Sequence, residues 1–353
     1  MRALKYIQSG RTAVRLTVPV LVPHFSLLMR YFLNVGLKGK ILIVLERSGG
    51  IGDLICVLAC ARGLRTKHPN SWLILATPYD CAELAMASRL CDAAIESQSS
   101  FYRFLRYVCS PQCHYCPLLP DERIPPQSQP YLHLAEVFAQ VLGIPADLPS
   151  VKFRVPERVR GNMIKRLRAV NPQGRPLIVV HLGPSWPVRE WPKERWIELV
   201  EKIAATGSVI IHIGTDFDSS MRRVPPRLMP STIYWVNSLN VINTVALLEQ
   251  ANVFIGIDSG PLHIATALGI TSIGLFGPTV GRLRVHPRAS AAIITGRASC
   301  LGCHHRSTGP RHWRTGCTND IVCMREIAAD QVLVAVTRAL NGTHFGRELS
   351  KSK

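Results

Sequence analysis

Short runs rich in isoleucine, valine and leucine alternate with stretches of helical character along most of the chain, and this alternation narrows the fold more than any other feature. The runs 40–46 (KILIVLE), 72–77 (WLILAT), 176–183 (PLIVVHLG), 208–214 (SVIIHIG), 253–258 (VFIGID) and 271–277 (TSIGLFG) are apolar on successive positions, with 233–236 a weaker member. A strand apolar on both faces is buried on both faces, as in a parallel sheet covered by helices. Segments 54–67, 193–205, 241–250 and 261–268 read as the crossover helices such a sheet requires. Segments 131–142 and 330–340 add further helices.

The chain has 353 residues, about two domains at roughly 150 residues each. Residues 98–130 hold six prolines and read as irregular, and the polar stretch 157–175 separates the two α/β series. The expected organisation is an N-terminal segment (1–39), a Rossmann-like domain (40–160), a second Rossmann-like domain (161–330) and a C-terminal helix with a basic tail (331–353). The fold class is α/β, with two parallel sheets facing a central cleft. In such sheets ligands bind beyond the carboxyl ends of the strands.

Composition removes several function classes. Apolar residues make up 47% of the chain, too many for a disordered polymer. Eleven cysteines, an odd number, cannot all pair. Forty-two Lys and Arg against 23 Asp and Glu give a net charge of +19. Seven basic residues precede the first acid, Glu46, and seven arginines with no acid lie between Ser259 and Asn319. Such fields attract anions: a phosphorylated ligand, nucleic acid or an acidic membrane surface. No RNP, zinc-finger or helix-turn-helix pattern is present, so nucleic acid is not the expected partner.

Residues 16–35 are apolar but interrupted by Pro19, Pro23, His24 and Arg30. That is a poor spanning helix, and no cleavage signal follows it. Two readings stand side by side. One is an interfacial anchor in which Phe25, Leu28, Met29 and Phe32 insert into an anionic leaflet; the other is a helix packed on the protein's own core. The expected location is the cytoplasm, peripheral on the inner face of the cytoplasmic membrane, with thiols reduced.

Three strand-end turns carry the candidate chemistry. The first, RSGGIGD (47–53), is glycine-rich without being GxGxxG, so a dinucleotide fingerprint is not supported. It offers the backbone of Gly50 and Gly52 and one carboxylate, Asp53, at a helix start, where an acid also serves as an ordinary cap or first-turn residue. The second, DSGPLH (258–263), places Asp258, Ser259, Gly260 and His263 where a strand hands over to a helix, an arrangement suited to phosphate. The third, HLGPSW (181–186) followed by REWP (189–192), offers Ser185 and Arg189 to a diphosphate.

Gly-Ile-Gly-Asp after an N-terminal strand, then His-Leu-Gly-Pro-Ser, Arg-Glu-Trp-Pro, Asp-Ser-Gly-Pro-Leu-His-Ile-Ala-Thr-Ala-Leu-Gly and Leu-Phe-Gly-Pro-Thr occur in that order. The chain thereby resembles glycosyltransferase family 9, the ADP-heptose–lipopolysaccharide heptosyltransferases, over about residues 40–342. The resemblance implies a GT-B fold, no metal in catalysis, inversion at the anomeric carbon, a donor nucleotide on the C-terminal domain and a glycolipid acceptor on the N-terminal one. It implies that Asp53 is the catalytic base, and that Ser259, Gly260 and His263 meet the donor phosphates. Arg189 stands where many members carry Lys, and Asp216 or Asp218 would bind the donor ribose. A nucleotide-sugar-binding protein without transferase activity is the alternative.

Cys300-x₂-Cys303 with Cys317 and Cys323, near His304, His305 and His312, has the look of a structural zinc site. The bland counterpart is a set of ordinary thiols. Cys109, Cys113 and Cys116 echo an iron–sulfur spacing without its strand context.

Overall fold

The computed structural model describes residues 25–47, 49–97, 99, 102, 105, 114–117, 132–145, 151–183, 186–215, 229–286, 288–305, 316–343 and 345. They fall into two compact units, residues 1–120 with 135–154, and residues 121–134 with 155–353.

The first unit opens with α1 (Phe25–Tyr31), which runs into a π-helical turn, Phe32–Leu37. Then come β1 (Ile41–Glu46), α2 (Ile51–Lys67), β2 (Ser71–Thr77), α3 (Tyr79–Ala87), β3 (Ala93–Glu96), β4 (His114–Pro117) and α4 (Leu134–Leu142), which belongs to this unit from Ala135 onward. The strands are all parallel in the order β3-β2-β1-β4. The apolar runs explain this: Leu42, Ile43, Val44 and Leu45 of β1 and every residue of β2 are buried. Helix α2 is apolar around most of its circumference and buries Leu54, Cys56, Val57, Leu58, Cys60 and Leu64. The start and end of α4 hold it, through a 3.4 Å contact of Cys60 Sγ with the Ala135 carbonyl and Lys67 Nζ donating to the carbonyls of Leu142 and Gly143. Burial pushes the Cys60 and Cys91 thiols up to about 12, so both stay protonated and inert.

The second unit contains α5 (Glu157–Val170), β5 (Leu177–His181), α6 (Lys193–Ala204), β6 (Val209–Ile213), β7 (Ile233–Tyr234), α7 (Val241–Leu248), β8 (Val253–Ile257), α8 (Gly260–Ala267), β9 (Ser272–Phe276), α9 (Gly281–Arg284), β10 (Ala291–Thr295), α10 (Val322–Arg325) and α11 (Ala329–Leu340). Its six strands are parallel in the order β10-β9-β8-β5-β6-β7. Trp191 and Trp196 are fully buried and meet edge to face at 4.8 Å, and Trp191 Nε1 donates to the Ile327 carbonyl, 3.0 Å. These two tryptophans are core, not ligand platforms.

Three expectations change. Most of the polar stretch 157–175 is the helix α5, which buries Met163 and Leu167 and ties Arg160 Nε to Glu249 Oε2 at 3.0 Å. Five arginines and lysines among its fourteen residues leave the helix looking polar in sequence, although it buries two side chains. Strand β4 lies inside the proline-rich region that reads as irregular. In α1, Leu28 is buried against Leu42, Val44, Trp72 and Ile74, with Leu27, Tyr31 and Val35 packed beside it, so Leu28 is a core residue and not an insertion residue. The outward face carries Met29 (44% exposed), Phe32 (43%), Leu33 (45%) and Leu37 (80%). Leu28, Tyr31 and Val35 recur at helical spacing on the core side, which turns the neighbouring Met29 outward. The Phe25 side chain lies outside the described residues. No helix among the described residues is long and apolar enough to cross a membrane.

Candidate active site

In each sheet the chain order reverses once, between β1 and β4 in the first and between β5 and β8 in the second. A parallel sheet opens a crevice at such a reversal, beyond the carboxyl ends of the strands. The motifs read from sequence fall at these two places.

In the first unit, β1 ends at Glu46 and the chain turns through Arg47, Gly49 and Gly50 into α2. Gly50 is the N-cap, Gly52 lies in the first turn, and no side chain caps the helix. Asp53, in that turn, is therefore no cap. Its carboxylate folds back toward Gly49, and Oδ1 accepts from Arg47 Nε at 3.2 Å and Nη2 at 2.6 Å. Both hydrogen bonds end on Oδ1. Oδ2 lies over Gly49, where an added Cβ would stand only 2.2 Å from it. The Arg47 guanidinium rests 5.4 Å from the centre of the Phe138 ring. The glycine is thus a space requirement: it admits a carboxylate fixed at one oxygen.

In the second unit, β8 ends at Ile257 and delivers Asp258 and Ser259 to the start of α8. Asp258 is buried and joins its neighbours. His263 Nε2 lies 3.2 Å from its Oδ1, Arg189 Nη2 3.4 Å from its Oδ2, and Arg189 Nη1 donates to its backbone carbonyl at 2.9 Å. The Arg189 guanidinium also stacks 4.1 Å from the Trp186 ring. Burial pushes the Asp258 carboxyl upward, but the Arg189 charge, the His263 hydrogen bond and the Arg284 charge outweigh it and hold the group well below the usual carboxylate range. Asp258 is a buried anchor for Arg189 and His263. Ser259 is the N-cap of α8 in extended conformation, yet its hydroxyl makes no capping bond; it lies 3.0 Å from His181 Nδ1, at the end of β5. Gly260 is the first residue of the helix.

Ser185, Asp216 and Asp218 lie outside the described residues. Arg47, Gly49 and His181 are the contributors that sequence reasoning did not assign. His181 stands within a quoted motif, but only the β5–β8 pairing brings it to Ser259.

The cysteines give a mixed picture. Among the described residues, no three His, Cys, Asp or Glu side chains stand together as a ready metal-binding group. Burial pushes the Cys323 thiol up to about 12. Gly277 leaves room for Cys323, since an added Cβ would stand 2.7 Å from its sulfur. His312, Cys109 and Cys113 lie outside the described residues, as does the side chain of Cys116.

Residues 122–312, more than half of the chain, match the family model of glycosyltransferase family 9 (heptosyltransferase). The chain belongs to glycosyltransferase family 9. This family-9 match contains Arg189 and the α8 constellation, whereas Asp53 lies upstream of it. Lipopolysaccharide heptosyltransferase 1 of Pseudomonas aeruginosa is 27% identical over 161 residues, 43% of this chain and 42% of the relative, so the match spans less than half of that protein. Among solved structures, a family 9 glycosyl transferase of Veillonella parvula superposes with a TM-score of 0.68 at 17% identity, covering 86% of this chain and 97% of that one. ADP-heptose lps heptosyltransferase II of E. coli gives 0.63 at 16% identity over 85% and 98%. The iron-containing dodecameric glycosyltransferase TibC of enterotoxigenic E. coli gives 0.62 at 15% identity over 86% and 76%. At these identities the likeness is one of fold, GT-B.

Proposed function

We propose that this family 9 chain is an inverting glycosyltransferase that moves heptose from an ADP-activated donor to a lipopolysaccharide core or similar glycolipid. The observation that carries the reading is the placement of both constellations, Asp53 beyond β1 and Ser259, His263 and Arg189 beyond β5 and β8, at the order reversals of the two sheets. The names of the matched relatives supply the donor and acceptor classes.

In this reading Asp53 removes the proton of the acceptor hydroxyl, a role typically worth 10²–10⁴-fold. Arg47 engages Oδ1, so Oδ2 is the oxygen that takes the proton. The sugar passes through an oxocarbenium-like state while negative charge grows on the departing diphosphate. The positive start of α8, with Ser259, Gly260 and His263, meets that charge together with Arg189, each good donor contributing on the order of 3 kcal/mol. Ser185 and Asp216 complete the donor site, at the diphosphate and the ribose. Catalysis needs no metal. Cys300, Cys303, Cys317 and Cys323 would hold a structural zinc in our reading, on the ligand spacing of Cys300 and Cys303.

The acceptor class fits a peripheral protein on the cytoplasmic face of the membrane. The outward face of α1 and its π-turn presents Met29, Phe32, Leu33 and Leu37 in a segment that also carries Arg30 and Lys38, the pairing of apolar and basic groups that an anionic leaflet attracts.

A thermal-shift screen of the full chain against ADP, UDP, GDP and their sugars tests the reading. A ligand at 100 times its Kd stabilises by roughly 2.7 kcal/mol. ADP and ADP-heptose should raise Tm most, with donor consumed when glycolipid is added. No stabilisation by any nucleotide would overturn it.

A further inference from the structure

We infer that His181 is a positioning residue of the donor site: its Nδ1–H donates to Ser259 Oγ and so turns the serine's own proton toward the diphosphate. The inference rests on the reading of the α8 start as the diphosphate site.

His181 is the last residue of β5 and is buried, next to Gly256 on β8 in the parallel pairing. A buried imidazole needs hydrogen-bond partners to offset its lost hydration. Beyond Gly256, β8 ends at Ile257 and the chain leads on to Ser259, whose hydroxyl comes 3.0 Å from Nδ1. Ser259 meanwhile has the extended backbone of a helix cap, φ −153° and ψ 166°, without using its side chain as one. Pro261, second in the helix, has no N–H to offer, and the amides of Leu262 and His263 bond to the Ser259 carbonyl instead. The hydroxyl is thereby left to His181.

A serine hydroxyl has one proton and two lone pairs. If it donated to His181, its lone pairs would face any anion at α8, a repulsive arrangement. With Nδ1–H as donor, the serine proton is released toward the anion, and each bond of the chain imidazole, hydroxyl, phosphate polarises the next. Negative charge grows on the diphosphate during transfer, so the effect belongs mainly to kcat and less to substrate binding.

The test has two arms. Histidine ¹⁵N NMR of the wild-type chain with ADP bound should show His181 protonated at Nδ1; protonation at Nε2 alone would overturn the inference without any variant. In the second arm, His181→Leu, His181→Asn, Ser259→Ala and the His181→Leu/Ser259→Ala double variant are compared for ADP affinity by calorimetry and for kcat with ADP-heptose. His181→Leu and Ser259→Ala should each lower kcat about tenfold, the scale of one hydrogen bond to a charged group. The double variant should be no slower than Ser259→Ala, and His181→Asn, whose amide nitrogen can stand in for Nδ1, should recover most of the rate. Additive losses in the double variant, or an Asn variant as slow as Leu at wild-type Tm, would overturn the inference. A wild-type chain that binds ADP and turns over, indifferent to both single substitutions, would overturn it while leaving the proposed function standing. A wild-type chain that binds no nucleotide would bring down both.

Discussion

Gly49→Ala is the sharpest small perturbation the structure offers. The alanine methyl would stand 2.2 Å from Asp53 Oδ2, 2.3 Å from its Cγ and 2.6 Å from its Cβ. To reach van der Waals separation the carboxylate must retreat by about 1 Å, and a displacement of that size at a reacting group costs about 10²-fold in rate. The same retreat pulls Oδ1 from Arg47 Nη2, now at 2.6 Å. Overpacking of this kind costs about 1–3 kcal/mol of stability. Transfer kinetics with ADP-heptose, ADP calorimetry and thermal denaturation separate the effects. Turnover should collapse while ADP affinity holds, because every described donor contact lies in the other unit. Gly50→Ala is the comparison: its Cβ meets nothing within 4 Å, and the change costs the N-cap preference of about 1 kcal/mol. Wild-type turnover in a well-folded Gly49→Ala chain would refute the argument that Asp53 must lie where it does.

Three further predictions follow from other parts of the molecule. Asp258→Asn leaves Arg189 facing a neutral partner in a mostly buried pair and should destabilise by about 3 kcal/mol at pH 7. Because the folded Asp258 carboxyl titrates below its unfolded value of about 4, its stabilisation is present above that value and fades as pH falls further, so denaturation of the two proteins should converge in acid. If the four cysteines hold a metal, purified protein carries about one ion per chain and Cys303→Ser loses it together with stability, while chelator leaves transfer intact as long as the fold survives; metal-free protein of normal Tm would reduce the cluster to thiols. Leu33→Glu/Leu37→Glu should weaken co-sedimentation with anionic vesicles, and wild-type binding should fall with salt as the Debye length shrinks from about 10 Å at 0.1 M to 3 Å at 1 M. Unchanged vesicle binding would count against the anchor; truncation is the poorer test, because Leu28 belongs to the core.

The parallel sheets were legible because β1, β2, β5, β6, β8 and β9 are apolar on consecutive positions, which leaves few alternatives to burial on both faces. Strand β10, with four of its five residues half-buried, and the four-residue β3 and β4 carry no such signal and are not found from sequence. The site residues Asp53, Ser259 and His263 announce themselves through glycine and proline at strand ends. Arg47, Gly49 and His181 do not, because their roles come from contacts made across a turn or between neighbouring strands. Strand order was also invisible, and it is what places both constellations at sheet reversals. In α1 the adjacent apolar residues Leu28 and Met29 look alike in sequence, and only packing on the sheet turns Leu28 inward and Met29 outward.

The most direct test of the account is Asp53→Asn, which keeps the side chain's size and removes the base. ADP affinity by calorimetry should equal that of the wild type, and turnover with ADP-heptose should fall by about 10²-fold or more. A folded Asp53→Asn chain that transfers sugar at the wild-type rate would contradict the account at its centre.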